Sequence, residues 1–228
     1  MHKINYNIAL IGFGGVNRAL ANIISINPEN FYREMGFNIR IVAVSDIFLG
    51  SVYSPEGIDL DLLNELPVAE GAFASLRNGN AKADNKDIIK NSNADIIVEA
   101  TVTDSVTGQA ATSHCRWALA NGKHVSTTNK GPLAFAEQEL MDLALINNVS
   151  FEYEGVVMSG TPILRFVDKL MKGSEINKFT GIMNGTANYV LGLVEQGQTF
   201  TDAITSAQQQ GFAEADPSAD VEGKDVML

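Results

Sequence analysis

The stretch that most constrains this chain is Asn7-Ile8-Ala9-Leu10-Ile11-Gly12 and the residues that follow it. Ile8 to Ile11 are apolar without alternation, so a strand built from them is buried on both faces, as in a parallel sheet covered by helices. Gly12 ends the run. From Phe13 to Ile24 the apolar positions recur at helical spacing, which predicts strand, tight turn and helix. In a dinucleotide-binding unit Gly12 makes the turn, Gly14 lets the backbone approach a pyrophosphate, and a third small residue packs the helix on the sheet. Asn17 stands in that third place, so the fingerprint is incomplete. Gly12, Phe13, Gly14, Gly15 and Val16 are the candidate cofactor residues of this turn.

Ile39-Arg40-Ile41-Val42-Ala43-Val44-Ser45-Asp46 reads as a second parallel strand with an acid at its C-terminal end. Such an acid accepts hydrogen bonds from ribose hydroxyls and repels a 2′-phosphate, and the apolar Ile47-Phe48-Leu49 after it supplies no base, which favours NAD over NADP. Capping of the next turn is the competing role for Asp46. Ser51 to Asn93 reads as short helices and surface loops. Asp95 to Thr101 restores the buried-strand pattern, and places Thr101 and Thr103 in the crevice beyond the strand ends. A helix from about Gly108 to Asn121, closed by Gly122, leads into the strand Lys123 to Thr127. Lys130 lies just past that strand, where Gly131-Pro132 turns the chain, and a helix runs from Phe135 to Asn147. Residues 1–148 thus read as a Rossmann-like, doubly wound parallel sheet. Residues 149–228 read as a second α/β domain: a strand at Val149–Glu154, a helix at Pro162–Met171, a strand at Lys178–Met183 and a small-residue turn opening a further helix.

The net charge of −11 excludes a general nucleic-acid binder, which needs a basic face to displace counterions. No apolar run of membrane-spanning length and no signal pattern at Met1-His2-Lys3-Ile4 is present, so a soluble, cytoplasmic protein without a membrane partner is expected. The single cysteine, Cys115, excludes an intrachain disulfide framework and a cysteine metal cluster. Its mid-helix place also argues against a reactive thiol. His114 shares that helix and His124 precedes a strand Val, which leaves no histidine placed for acid–base work. Near the end, Gly211 to Asp225 carries a run of carboxylates with one Lys, and Pro217 blocks helix, which predicts a loop presenting acids in one place.

Four segments in this order, Thr127-Thr128-Asn129-Lys130-Gly131-Pro132, Glu154-Gly155-Val156-Val157-Met158-Ser159-Gly160-Thr161, Gly181-Ile182-Met183-Asn184-Gly185-Thr186-Ala187-Asn188, and the acid-rich stretch, resemble homoserine dehydrogenase. The resemblance implies an NAD(P)-dependent oxidoreductase that interconverts L-homoserine and L-aspartate 4-semialdehyde on the route to threonine and methionine, acting as a homodimer. It implies catalytic roles for Lys130, Asp225 and Glu214, with Glu214 on the substrate ammonium. Gly185, Thr186, Phe212 and Asp220 would line the same pocket. It further implies a structural Na⁺ or K⁺ held by the Glu154 carboxylate and the carbonyls of Val157, Ser159 and Thr161, a donor set suited to a hard cation. Phe212 departs from a Tyr found in many members. The family's second catalytic Lys is expected four residues after Asp225, one beyond Leu228, together with a returning C-terminal segment, so an incomplete chain is expected. The alternative from another class is a non-catalytic NAD-sensing protein; a semialdehyde dehydrogenase using a thiol is disfavoured by the placement of Cys115.

Overall fold

The computed structural model describes residues 4–27, 33–213 and 222–223, and divides the chain into two units, Met1–Tyr153 and Glu154–Leu228. In the first unit the strands are β1 (Ile4–Ile11), β2 (Phe37–Asp46), β3 (Gly50–Tyr53), β4 (Gly79–Asn80), β5 (Ile96–Glu99), β6 (His124–Thr127) and β7 (Phe151–Glu152). They form one sheet in the order β4-β3-β2-β1-β5-β6-β7. The five strands from β2 to β7 run parallel, while β3 and β4 extend the β2 edge antiparallel. Strand order therefore reverses between β1 and β5, the switch point where open α/β sheets leave a crevice.

Alternation along β1 divides the core between the two faces of the sheet. Ile8 and Leu10 pack with Phe13, Ala21, Ile24 and Ile41 on the side of α1 (Gly15–Ile26). Ala9 and Ile11 pack with Ile97, Cys115, Leu119, Val125 and Leu140 on the side of the later helices. These are α3 (Asn85–Asn91), α4 (Ala111–Ala120) and α5 (Lys130–Ile146), while the short α2 (Leu60–Glu65) follows β3. Burial on both faces is why β1 shows no polar alternation at its core. α4 ends as its sequence predicts: the Gly122 N–H donates to Leu119 O at 3.1 Å and the Lys123 N–H to Ala118 O at 3.1 Å, the paired bonds of a Schellman motif.

Three expectations for the first unit change. Residues 51–93 contain β3 and β4 as well as short helices, because Gly50, at φ +102°, closes a turn tight enough for Asp46 to pair with Gly50. α5 begins at Lys130 rather than Phe135. Asn129 caps it by accepting from Gly131 N, and Pro132 falls in the first turn, where its missing N–H costs no bond. A break at Ala136 (φ −150°, ψ 20°) then marks the place where a separate helix was expected. Finally, Phe151–Glu152 pairs with β6, so the first unit runs to Tyr153, not to 148.

The second unit, among its described residues, is helical. A 3₁₀ turn spans Glu154–Val156, and a helical turn at Ile163–Arg165 runs into a π-type segment at Phe166–Leu170. α6 (Gly185–Glu195) is capped by Asn184, and α7 (Phe200–Gln209) by Thr199. Val190 of α6 packs on Ala203, Ile204 and Ala207 of α7. The strand expected at Lys178–Met183 does not form; these residues are exposed and, among the described residues, lie in no ladder. The sheet expected here is therefore not found in the described part of this unit.

Candidate functional site

The C-terminal ends of β1 and β5 approach closely. Gly12 has φ +80°, its N–H donates to Ser45 O at 2.8 Å, and a Cβ there would stand 2.7 Å from Ala100 O. Gly14 and Gly15 differ: a Cβ on either would meet no protein atom within 4 Å. Gly14 is the N-cap of α1, without a side-chain cap and without an acid in the first turn, so the N–H groups of Gly15, Val16 and Asn17 face an open cradle. A helix N-terminus of this kind suits an anion such as a pyrophosphate, and the residues fit a dinucleotide. Asn17, in place of the third small residue, is buried and pins the turn: its Nδ2 donates to Gly12 O at 2.7 Å and Ile11 O at 3.3 Å. Phe13 is buried beneath the Arg18 guanidinium, which lies 4.6 Å over its ring.

Asp46 stands at the end of β2 beside this turn. Its Oδ2 accepts from Phe13 N at 2.8 Å, and its Oδ1 from Phe48 N at 2.9 Å and Leu49 N at 3.0 Å. The carboxylate thus ties the glycine turn to the β2–β3 turn, the capping role weighed from sequence, and keeps lone pairs on Oδ2 for a ribose hydroxyl.

Beyond β5 and β6, Asn129 organises the chain. Its Nδ2 donates to Thr101 O at 2.9 Å, and its Oδ1 accepts from Thr103 Oγ1 at 3.1 Å and Gly131 N at 3.0 Å. Lys130 is therefore the first residue of α5, half-buried, rather than part of a loop. Thr101, Thr103 and Lys130, proposed from separate stretches, are brought to one rim of the sheet with Gly12 and Asp46.

A buried group that the sequence reading did not single out lies under this rim. Glu99 is 0% exposed at the end of β5. Its Oε1 accepts from Thr101 N at 3.2 Å, from the Thr101 hydroxyl and from His114 Nδ1 at 3.3 Å; its Oε2 accepts from Thr127 Oγ1 at 3.2 Å. On the far side, Ser45 Oγ donates to Asn85 Oδ1 at 2.6 Å, which turns the Asn85 amide nitrogen toward His114 Nε2 at 3.0 Å. An amide NH₂ only donates, so Nε2 accepts and the imidazole proton sits on Nδ1. The lone acid in Ile96-Ile97-Val98-Glu99 was the available signal. Burial and, second, the Glu99 charge push the Cys115 thiol well above its ordinary pKa, which leaves it inert. His124 Nδ1 accepts from Ser150 N at 3.0 Å and secures β7.

In the second unit, Thr186 Oγ1 donates to Phe212 O at 2.6 Å and the Tyr189 and Phe212 rings lie 4.7 Å apart. Gly185, Thr186 and Phe212 thus meet at the start of α6. Glu154 accepts from Leu164 N at 3.1 Å and Arg165 N at 2.9 Å, with Arg165 Nε at 3.5 Å. Between them, Met158 (φ +56°) and Ser159 (φ +52°) turn the chain, and Thr161 N donates to Met158 O at 3.0 Å. Glu154, Val157, Ser159 and Thr161 share this turn. Glu214, Asp220 and Asp225 lie outside the described residues.

Comparison with known proteins bears on the family of the chain. The family model "Homoserine dehydrogenase, NAD binding domain" matches residues 12–154, and the model "Homoserine dehydrogenase" matches residues 162–228. An NAD(+)-dependent homoserine dehydrogenase of Pseudomonas canavaninivorans is 54% identical over 98% of this chain and 63% of its own length. A homoserine dehydrogenase of Methanocaldococcus jannaschii is 32% identical over 96% of this chain and 65% of its own. Among solved structures, a putative homoserine dehydrogenase of Archaeoglobus fulgidus superposes with TM-score 0.81 at 32% identity, covering 97% of this chain and 65% of that one. A hyperthermophilic archaeal homoserine dehydrogenase in complex with NADPH gives TM-score 0.81 at 29% identity, covering 98% and 67%. The chain spans a little under two thirds of the length of these two relatives and less than half of the length of several others.

Proposed function

We propose, from the premise that this chain belongs to the homoserine dehydrogenase family, that it interconverts L-homoserine and L-aspartate 4-semialdehyde with NAD, as a cytoplasmic homodimer. The observation that carries the reading is the open cradle at Gly14 and Gly15 on the same sheet rim as Lys130. A bound nicotinamide dinucleotide supplies the hydride acceptor and donor. Gly12 to Val16 hold its pyrophosphate at the start of α1, Asp46 keeps acceptor capacity for the ribose, and Thr101 and Thr103 line the rim beyond β5. With an acid and three apolar residues closing β2, NAD is preferred to NADP.

Lys130 donates to the substrate oxygen, stabilising the charge that develops there. Glu214 pairs with the substrate ammonium, and Asp220 and Asp225 complete a polar wall in which charge pairing is stronger than in water. Gly185, Thr186 and Phe212 line the pocket, with Phe212 giving no hydroxyl contact. A structural Na⁺ or K⁺ uses the Glu154 carboxylate, each oxygen of which keeps acceptor capacity beyond its backbone N–H, and the carbonyls of Val157, Ser159 and Thr161. Absorbance at 340 nm tests the activity. In the full-length protein, NADH formation that requires both homoserine and NAD supports it, whereas NAD binding with no homoserine-dependent turnover there would leave the sensing role instead.

A further inference from the structure

We propose that Glu99 is a fixed negative charge beneath the cofactor crevice that selects the oxidised dinucleotide over the reduced one; this rests on the cofactor reading above. Two observations lead to it. First, Glu99 is fully buried, and its four donors, the Thr101 N–H and hydroxyl, the Thr127 hydroxyl and His114 Nδ1, are neutral groups. Hydrogen bonds to both oxygens compensate an ionised carboxylate in a buried site without cancelling its charge. The Ser45–Asn85 pair fixes the neutral imidazole by presenting a donor to His114 Nε2, so no imidazolium balances the acid. Second, Glu99 ends β5 at the switch point of the sheet, and Thr101 and Thr127, which it holds, lead directly into Thr103 and Asn129-Lys130 on the rim.

NAD⁺ and NADH share their adenosine and pyrophosphate and differ in the charge of the nicotinamide ring. A buried carboxylate close to that ring favours the cation. A single charge–charge interaction screened as it is in proteins shifts an equilibrium on the order of tenfold. A carboxylate that merely held the strand ends in place would affect both forms alike, so the ratio of the two dissociation constants isolates the charge.

The experiment titrates NAD⁺ and NADH separately into wild type, Glu99→Gln and Thr127→Val. Glu99→Gln is expected to raise Kd(NAD⁺)/Kd(NADH) about tenfold. Thr127→Val, which removes one of the same hydrogen bonds and keeps the charge, should leave the ratio at the wild-type value. Equal weakening of both forms in Glu99→Gln, or an equal shift of the ratio in Thr127→Val, overturns the proposal. A wild type that binds neither form overturns the cofactor reading itself. Should Glu99→Gln not fold, the ¹⁵N spectrum of His114 in the wild type decides. A pyrrole-type Nδ1 with a pyridine-type Nε2 supports the charged site; an imidazolium pattern makes the pair neutral and removes it.

Discussion

Gly12 and Gly14 stand two residues apart in the same turn, yet the geometry assigns them separate duties that single methyl groups can distinguish. In Gly12→Ala the new Cβ stands 2.7 Å from Ala100 O and 2.9 Å from Ala100 C, at φ +80°. The left-handed conformation costs an alanine about 1–2 kcal/mol. Displacing the end of β5 adds about 1–3 kcal/mol, as overpacking does. The sum, about 2–5 kcal/mol, corresponds to a fall in Tm of roughly 5–15 °C for a unit of this size. In Gly14→Ala the residue sits at φ −82°, ψ −161°, which alanine adopts, and its Cβ meets nothing within 4 Å. Stability should change by no more than about 1 kcal/mol, the cost of an alanine at an N-cap. Its methyl group instead intrudes on the cradle where the backbone must approach a pyrophosphate, and NAD affinity should fall about tenfold or more. Thermal unfolding and an NAD titration on both variants make the comparison. A Gly12→Ala protein as stable as wild type would refute the close-approach argument, and a Gly14→Ala protein with wild-type NAD affinity would refute the cradle.

Cys115 should resist iodoacetamide in the folded protein at pH 8 and react only as the chain unfolds; rapid labelling would reopen the thiol-dependent reading. The Arg116–Glu139 pair joins α4 to α5 at the surface, with Nη2 to Oε2 at 2.8 Å, and the guanidinium holds the Glu139 carboxyl below its usual pKa. Both side chains are more than a third exposed, so Glu139→Gln should cost at most about 1 kcal/mol. Because the folded pKa is depressed, that stability is present above the ordinary carboxylate value and lost as pH falls through the folded one. Urea melts of wild type and variant should therefore differ at pH 7 and converge only as the pH falls below the depressed carboxylate value. Na⁺ or K⁺ should raise Tm at matched ionic strength by binding only the folded state, and the rise should vanish in Glu154→Ala; equal responses would place the cation elsewhere.

The parts legible in the sequence are those whose physics is local. Ile8 to Gly12 announced a buried strand and turn because burial on two faces leaves no polar alternation, and the ends of β2, β5 and β6 followed from the same pattern. Lys130 could be placed at a strand end, but not on a helix, because the capping of α5 depends on an Asn129 side chain that also bonds to Thr101 and Thr103. β3 and β4 escaped notice because strands of four and two residues carry too little periodicity. The Glu99–His114–Asn85 network was hidden for a different reason: its members come from β5, α4 and α3, and only the crossovers of the sheet bring them together. At Lys178–Met183 the apolar pattern suggested a strand, but a strand also needs a partner, and no ladder forms there among the described residues.

The central claim is that Lys130 acts on a substrate oxygen beside a dinucleotide held in this crevice, and the kinetics of Lys130→Ala test it most directly. An ammonium that matters chiefly in the transition state raises kcat and contributes little to cofactor binding. In the full-length protein, with homoserine and NAD followed at 340 nm, Lys130→Ala should lower kcat on the order of 100-fold to 1000-fold while the NAD dissociation constant stays at its wild-type value. A variant that keeps wild-type kcat, or one that loses NAD affinity in proportion to its activity, would contradict the assignment.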